Sequence, residues 1–475
     1  MGVPKSRTAQ WVAVGIVLVL VPSLTLTVLA LRGRIATAVG LDRPAASPTV
    51  PPSVFEAPSA APTPPSVGDL QPPAAIATPG RAPSKQQLAQ RLAQLDTSKL
   101  ATPDGKPAVI SWELLDGVSG QAIASRDSHR MLIPASNTKT LTITSVLNAF
   151  DGGETFATTV TQPSPGTIVL VGGGDPLLAS EPAQPGTYPQ PPSLRSLAQQ
   201  TAKALRAAGT TSVTLGYDAS YFPDSGWATT WSANYRDQVT PISALWADEG
   251  KVNGARQADP AAAAAAIFAR QLGEEGIQVS GAPAVAKGTG EEVASVESLP
   301  VHALTQQAML RSNNSFTEVL GFQLAKHTGH PATFAGSTAA IQQQLTKLGI
   351  WEQGAHLDDA SGLSRSNRVS ATMLARANHH IITDACLTAV MDGLPVAGVT
   401  GTLRERFTDE VSAPARGVAR AKTGTLSLVS SLSGYTITAD GSLVVFAIVL
   451  NGQVDGWAAK VLEDQVVGTV TGCGC

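Results

Sequence analysis

Residues 44–83 hold 12 of the chain's 33 prolines, mixed with Ala, Ser and Thr. Such a stretch buries too little apolar surface to fold and favours extended polyproline conformations. Whatever packs into a core must therefore lie beyond about residue 84. Upstream, Trp11–Leu31 runs without one charged residue. At ~1.5 Å rise per residue it spans roughly 32 Å, the thickness of a bilayer's hydrocarbon core. Lys5 and Arg7 give it a short basic flank that belongs on the cytoplasmic side. The N-terminal region reads as a cytoplasmic tail (1–10), a transmembrane anchor or signal segment (11–31) and a Pro-rich linker (32–83) that tethers the body to the membrane. Length favours a retained anchor, because a cleaved signal has an apolar region of only about 7–15 residues. Ala36-Thr37-Ala38 offers a cleavage site for the other outcome, secretion. Either way the body of the chain is exported.

Of 475 residues, 33 are basic and 36 acidic, a net charge of −3. That balance argues against a nucleic-acid-binding surface. The three cysteines form no CxxC pair, no His-Glu-x-x-His occurs, and His379-His380 lacks ligand spacing. No metal and no cofactor is expected.

Beyond the linker, periodicity predicts a helix over Gln86–Leu95, strands over Ala108–Leu115 and Gln121–Ser125 across an Asp116–Gly120 turn, and a helix over Leu141–Phe150. The region 150–299 differs in character and reads as an insertion domain. It has a short strand, Thr167–Val171, and a helix over Ala261–Leu272 with Asp259 as N-cap, Pro260 as first residue and Gly276 as stop. Val429–Thr438 and Ser442–Leu450 flank Ala439-Asp440-Gly441 as a hairpin, and Val454–Val467 reads as a closing helix. The expectation is an α+β fold, an antiparallel sheet flanked by helices, built from 84–149 and 300–475 around the large insertion.

Three short strings carry chemistry. Ser136 and Lys139 lie at i and i+3, on one face of a helix that Pro134 starts sharply. A helix N-terminus favours a developing oxyanion, and lysine serves as a base once burial or a second cation lowers its pKa. Ser312-Asn313-Asn314 opens the helical segment Ser315–Leu324 and places a hydroxyl and a carboxamide on one turn. The hydroxyl can relay a proton, and the amide can orient a carbonyl or the lysine. Lys422-Thr423-Gly424-Thr425 precedes the strand Val429–Thr438. Lys422 supplies the second cation, Thr423 and Thr425 offer hydroxyls to an anionic substrate end, and Gly424 lets a substrate backbone approach closely. Each string alone fits a plainer reading: an N-cap serine, a polar turn, an exposed strand lysine. Their combination and order do not.

The set Ser-x-x-Lys, Ser-x-Asn, Lys-Thr-Gly resembles the penicillin-interacting serine hydrolases. Further strings narrow the resemblance: Ile133-Pro134-Ala135-Ser136, Val171-Gly172-Gly173-Gly174-Asp175-Pro176, Asp358-Asp359-Ala360-Ser361-Gly362-Leu363-Ser364-Arg365, Leu394–Gly398 and Gly401–Arg404. These are similar to the class C low-molecular-mass penicillin-binding proteins, the D-alanyl-D-alanine carboxypeptidase/endopeptidase family, over roughly 85–475. Ala360 stands where that family usually has Gly. The resemblance implies a β-lactamase/transpeptidase-like domain and serine carboxypeptidase activity, with endopeptidase action as a companion. The substrate would be a peptidoglycan stem peptide ending in D-Ala-D-Ala, with β-lactams as inhibitors. It also implies catalytic roles for Ser136, Lys139, Ser312, Asn314 and Lys422, substrate binding by Thr423, Gly424 and Thr425, and an oxyanion hole from the N–H groups of Ser136 and Thr425. Two alternatives stay open: a serine β-lactamase, and a catalytically silent peptidoglycan-binding protein. No Gly-x-Ser-x-Gly elbow exists, which disfavours an α/β-hydrolase. Gly172–Gly174 followed by Pro176 reads as a turn, not a phosphate loop.

Overall fold

The run Val444-Val445-Phe446-Ala447-Ile448-Val449-Leu450 has no polar residue, as expected of a strand covered on both faces. The computed structural model, which describes residues 83–223, 226–384 and 387–475, places it at the centre of a five-stranded sheet. The expected anchor and nearly all of the linker lie outside the described residues, as does Cys386. Among the described residues no helix is long and apolar enough to cross a membrane.

In chain order, helix α1 (Lys85–Leu92) leads into β1 (Val109–Asp116) and β2 (Ala122–Arg126), and a 3-10 turn (Ala135–Asn137) continues into α2 (Thr138–Ala149). Next come β3 (Ala157–Ser164), β4 (Thr167–Val171), α3 (Leu194–Ala207), β5 (Ser212–Asp218), the small hairpin β6 (Lys251–Val252) and β7 (Ala255–Arg256), and α4 (Pro260–Glu274). Strands β8 (Gln278–Val279), β9 (Ala284–Val285) and β10 (Glu291–Glu297) follow, then helices α5 (Val301–Arg311), α6 (Asn314–His327), α7 (Phe334–Lys347) and α8 (Ala371–Thr383). The chain closes with β11 (Arg420–Leu426), β12 (Val429–Ile437), β13 (Leu443–Asn451) and α9 (Gly456–Thr471).

The main sheet has the order β11-β12-β13-β1-β2 and is antiparallel throughout. Alternation along β13 sorts its side chains. Phe446, Ile448 and Leu450 join α1 and α9 in one core, whereas Val445, Ala447 and Val449 join α2, α5, α6 and α8 in another. Each fully buried side chain of this kind contributes roughly 1.5–3 kcal/mol of transfer free energy. A second sheet, β10-β3-β4-β5-β8, is mixed: β4 and β5 pair in parallel while β3 pairs antiparallel with both β4 and β10. It has its own core, covered by α3 and α4. The α4 cap forms as its sequence predicts, with Asp259 Oδ1 accepting from Ala262 N at 2.9 Å and Gly276 in the left-handed region at φ +83°. A cluster of aromatic rings joins the 222–246 segment to α6 and α7: Phe222 and Phe334 both pack edge-on against Phe322. At the chain end Cys473 and Cys475 form a disulfide.

Two local placements bear on the site. Residues 420–426 are a strand in their own right, paired residue for residue with β12, so Lys422 faces Ser433 and Gly424 faces Ser431. The lysine string therefore lies on a strand, as expected, and that strand is the sheet edge. The first serine string opens on a 3-10 turn, and regular helix starts only at Thr138.

Candidate active site

The turn that carries Ser136 is held in an uncommon conformation. Ala135, fully buried, has φ +49°, which non-glycine residues rarely adopt unless their surroundings impose it. Here β12 imposes it. Ser431 Oγ donates to the Pro134 carbonyl at 2.6 Å and accepts from Asn137 Nδ2 at 2.7 Å, and Ser433 Oγ donates to Asn137 Oδ1 at 2.6 Å. Gly362 closes the other side, where a Cβ would lie 1.9 Å from the Ala135 carbonyl oxygen. Gly424 contributes in the same way. A Cβ there would stand 2.2 Å from Ser431 Oγ, 2.7 Å from the Pro134 oxygen and 3.1 Å from Ser136 N. Its missing side chain lets β11 lie against the serine turn, a use in addition to the close substrate approach expected of it.

Lys139, fully buried on α2, brings its Nζ within 3.1 Å of Ser136 Oγ, 2.7 Å of Asn314 Oδ1 and 2.6 Å of the Ser361 carbonyl oxygen. Two of these three partners are carbonyl oxygens that only accept. A neutral amine satisfies both with its two N–H groups and leaves its lone pair for the Ser136 hydroxyl proton. Burial lowers the Lys139 pKa to about 8, against the opposing pull of the Asp359 and Glu318 carboxylates. Burial, one of the two causes expected from sequence, is thus the leading one.

Ser312 caps α5 in the left-handed region (φ 51°, ψ 32°), and Asn313 caps α6 by accepting from Phe316 N. The joint between the two helices thereby points Ser312 and Asn314 into one cleft. Asn314 turns its carboxamide oxygen to Lys139 and donates from Nδ2 to the Gln238 carbonyl at 3.1 Å. Lys422 Nζ donates to Ser312 Oγ and to the Thr423 carbonyl, both at 2.7 Å. Its pKa is well below the usual lysine value, through burial and through the charge of Lys139. Thr423 Oγ1 donates to Thr402 Oγ1 at 2.9 Å. The cleft, about 530 Å³, is lined by Ser136, Ser312, Asn314, Gly362, Thr402, Thr423 and Thr425, and opposite them by Asn234, Tyr235, Asp237 and Gln238.

Comparison with known proteins gives the family. Residues 92–255 and 251–472 match the D-Ala-D-Ala carboxypeptidase 3 (S13) family. The chain belongs to this family. Among its relatives, carboxypeptidase DacB of Mycolicibacterium smegmatis is 31% identical over 85% of this chain and 90% of its own. Carboxypeptidase Rv3627c of Mycobacterium tuberculosis is 33% identical over 88% and 90%. The crystal structure of penicillin binding protein 4 (dacB) from Haemophilus influenzae superposes with a TM-score of 0.63 at 22% identity, covering 82% of this chain and 97% of that one, which shows a shared fold.

The S13 chain also uses residues to which the sequence reading gave no role. Asp359, fully buried, accepts from Gly362 N, Ser364 N, Asn367 Nδ2 and Trp231 Nε1 at 2.6–2.9 Å. Glu318, equally buried on α6, accepts from Ser361 N at 2.7 Å and Ala360 N at 3.1 Å, and burial pushes its pKa up to about 8. Together the two carboxylates fix the loop whose Ser361 carbonyl holds Lys139. One signal was available: Glu318 follows Asn314 by four residues and so shares its helix face. Ala360, the departure from the usual glycine, is absorbed by a glycine opposite, because a Cβ on Gly321 would come within 2.9 Å of the Ala360 methyl. Among the described residues no cluster of His, Cys, Asp or Glu is placed to hold a metal ion.

Proposed function

We propose that Ser136 is the nucleophile with which this D-Ala-D-Ala carboxypeptidase opens the terminal peptide bond of peptidoglycan stem peptides. The observation that carries this reading is the Lys139 amine, buried, shifted towards neutrality and 3.1 Å from Ser136 Oγ. Lys139 takes the hydroxyl proton as Ser136 Oγ attacks the carbonyl carbon of the penultimate D-alanine. The N–H groups of Ser136 and Thr425 receive the oxyanion, and one such donor is typically worth ~10²–10³ in rate. The C–N bond then breaks. Ser312, hydrogen-bonded to Lys422, relays the proton held by Lys139 to the leaving amine of the terminal D-alanine, so both groups return to their starting state. Asn314 positions the acyl part, and Lys422, Thr423 and Thr425 hold the terminal carboxylate. Water attacks the ester, releases the shortened stem peptide and restores the Ser136 hydroxyl. A β-lactam enters the same sequence and stays as a slowly hydrolysed ester. The β-lactamase alternative needs a base that activates water quickly. Glu318 and Asp359 are buried and engaged with backbone N–H groups, which suits neither to that task.

Peptidoglycan lies outside the cytoplasmic membrane, so the catalytic body works as an exported protein, and residues 11–31 are proposed as its anchor. The test is intact mass spectrometry after benzylpenicillin, followed by tryptic mapping. The adduct is expected on the peptide Met131–Lys139, and an adduct elsewhere overturns the assignment.

The pH dependence follows from the same amine. Only unprotonated Lys139 accepts the Ser136 proton, and with a pKa of about 8 about a tenth of it is free at pH 7. The acylation rate with benzylpenicillin should rise close to tenfold per unit below about pH 8 and level off above it. A flat profile across this range would remove Lys139 as the base.

A further inference from the structure

A second cavity, about 590 Å³, opens between residues 227–230, α7 and the 351–358 segment. Two half-buried indoles, Trp227 and Trp351, border it. Trp227 is held by two neighbours: Trp231 packs edge-on at 5.3 Å, and the Arg236 guanidinium lies 4.7 Å from its ring centre. Around the rings stand the exposed threonines Thr229 and Thr230, the Gln342 amide, and His356, whose Nε2 meets Asp358 Oδ1 at 2.8 Å. No lysine or arginine is among the lining residues, and Asp358 is already engaged by His356 and Ser364.

These features select a ligand class. Rigid indole faces match the C–H faces of pyranose rings, while hydroxyl and amide groups at the rim satisfy sugar hydroxyls and fix orientation. The lining, free of lysine and arginine with Arg236 engaged on the Trp227 ring, disfavours a carboxylate or phosphate and favours a neutral polar ligand. The size falls within the ≈ 300–1,000 Å³ of ordinary ligand sites.

Position gives the cavity a use. Trp231, the support of Trp227, donates to Asp359, and Asp359 fixes the loop whose Ser361 carbonyl holds Lys139. Asp358 on the cavity wall is its chain neighbour. We propose that the Trp227–Trp351 cavity is a saccharide subsite that takes an N-acetylated hexosamine unit of the glycan from which the stem peptide hangs. This deepens the reading of the cleft as a stem-peptide site and rests on it.

The test uses the full chain and glycan strands stripped of peptide, with binding followed by tryptophan fluorescence and calorimetry. Saturable binding is expected, weakened about tenfold or more by Trp227→Ala, as is usual when an aromatic anchor is truncated. Ala335→Arg, which fills the cavity from an exposed helix position, should weaken it as well and guards against a folding defect in the first variant. Benzylpenicillin acylation should be unchanged in Ala335→Arg, so the cleft is read separately from the cavity. Absence of saturable binding to the wild type up to about 10 mM glycan, or binding that survives both substitutions, overturns the saccharide subsite. Loss of wild-type acylation would instead overturn the cleft.

Discussion

Replacing Ser136 with alanine leaves a folded protein that no longer takes up benzylpenicillin covalently. Ser136 is only partly buried, and its Oγ contributes one hydrogen bond, to Lys139. The amine keeps its bonds to Asn314 and the Ser361 carbonyl. Stability should therefore change by no more than about 1 kcal/mol. Turnover should fall by about 10⁴-fold or more, because removing a nucleophile leaves only what binding and the oxyanion donors supply. Mass spectrometry and thermal melting together separate the two effects. A persistent adduct in a folded Ser136→Ala protein would place the nucleophile elsewhere.

The largest stability effect is expected on the opposite face of the main sheet. Arg406, 6% exposed, meets Glu463 at 2.9 Å and Asp464 at 2.7 Å on α9 and donates to the Lys460 carbonyl. Asp464 Oδ2 also accepts from Phe407 N at 3.0 Å. Arg406→Leu leaves two carboxylates behind without their cation, and breaking a buried ion pair in this way costs about 3–5 kcal/mol. The helix that carries them packs through Leu462, Val466 and Val470 against the face of the sheet turned away from α2. Surviving folded protein should thus acylate normally.

The pH sign is fixed by burial, which raises the pKa of both carboxyls. Above their folded values the charged forms are penalised. The deficit of the variant should be greatest at neutral pH and above, and should shrink as pH falls towards the unfolded carboxyl range of about 4. Denaturant unfolding at several pH values measures this. A variant as stable as the wild type at pH 7 would show that the triad adds nothing beyond an apolar packing of equal size.

Much of this was legible in one dimension because its cause is local. The Asp259-Pro260 start of α4 and the turn at Ala439-Asp440-Gly441 depend on side-chain-to-backbone bonding and glycine freedom within a few residues. The apolar run of β13 announces a strand covered on both faces wherever it sits. Ser136, Lys139, Ser312, Asn314 and Lys422 were named from their strings, because the residue types themselves carry the chemistry. The long helices α3, α5, α7 and α8 were not read, since their apolar positions take their meaning from partners far along the chain.

The residues left without a role share one property. Glu318 and Asp359 resemble ordinary acidic residues until the backbone N–H groups they accept from are in place, and those donors come from the loop that carries Ser361. Tyr235 and Gln238 complete the cleft from a part of the chain with no catalytic string. Gly424 shows the limit from the other side: its glycine was expected to matter for substrate approach, and its contact with the serine turn came only with the structure. What the sequence by itself determined is the inventory, a hydroxyl, two amines and a carboxamide on recognisable turns, with helix and strand signals to seat them. What only the tertiary structure decided is that burial lowers the pKa of one amine beside the serine and that β12 and Gly362 hold the serine turn in place. Desolvation and close packing arise between segments more than a hundred residues apart, and no local pattern encodes them.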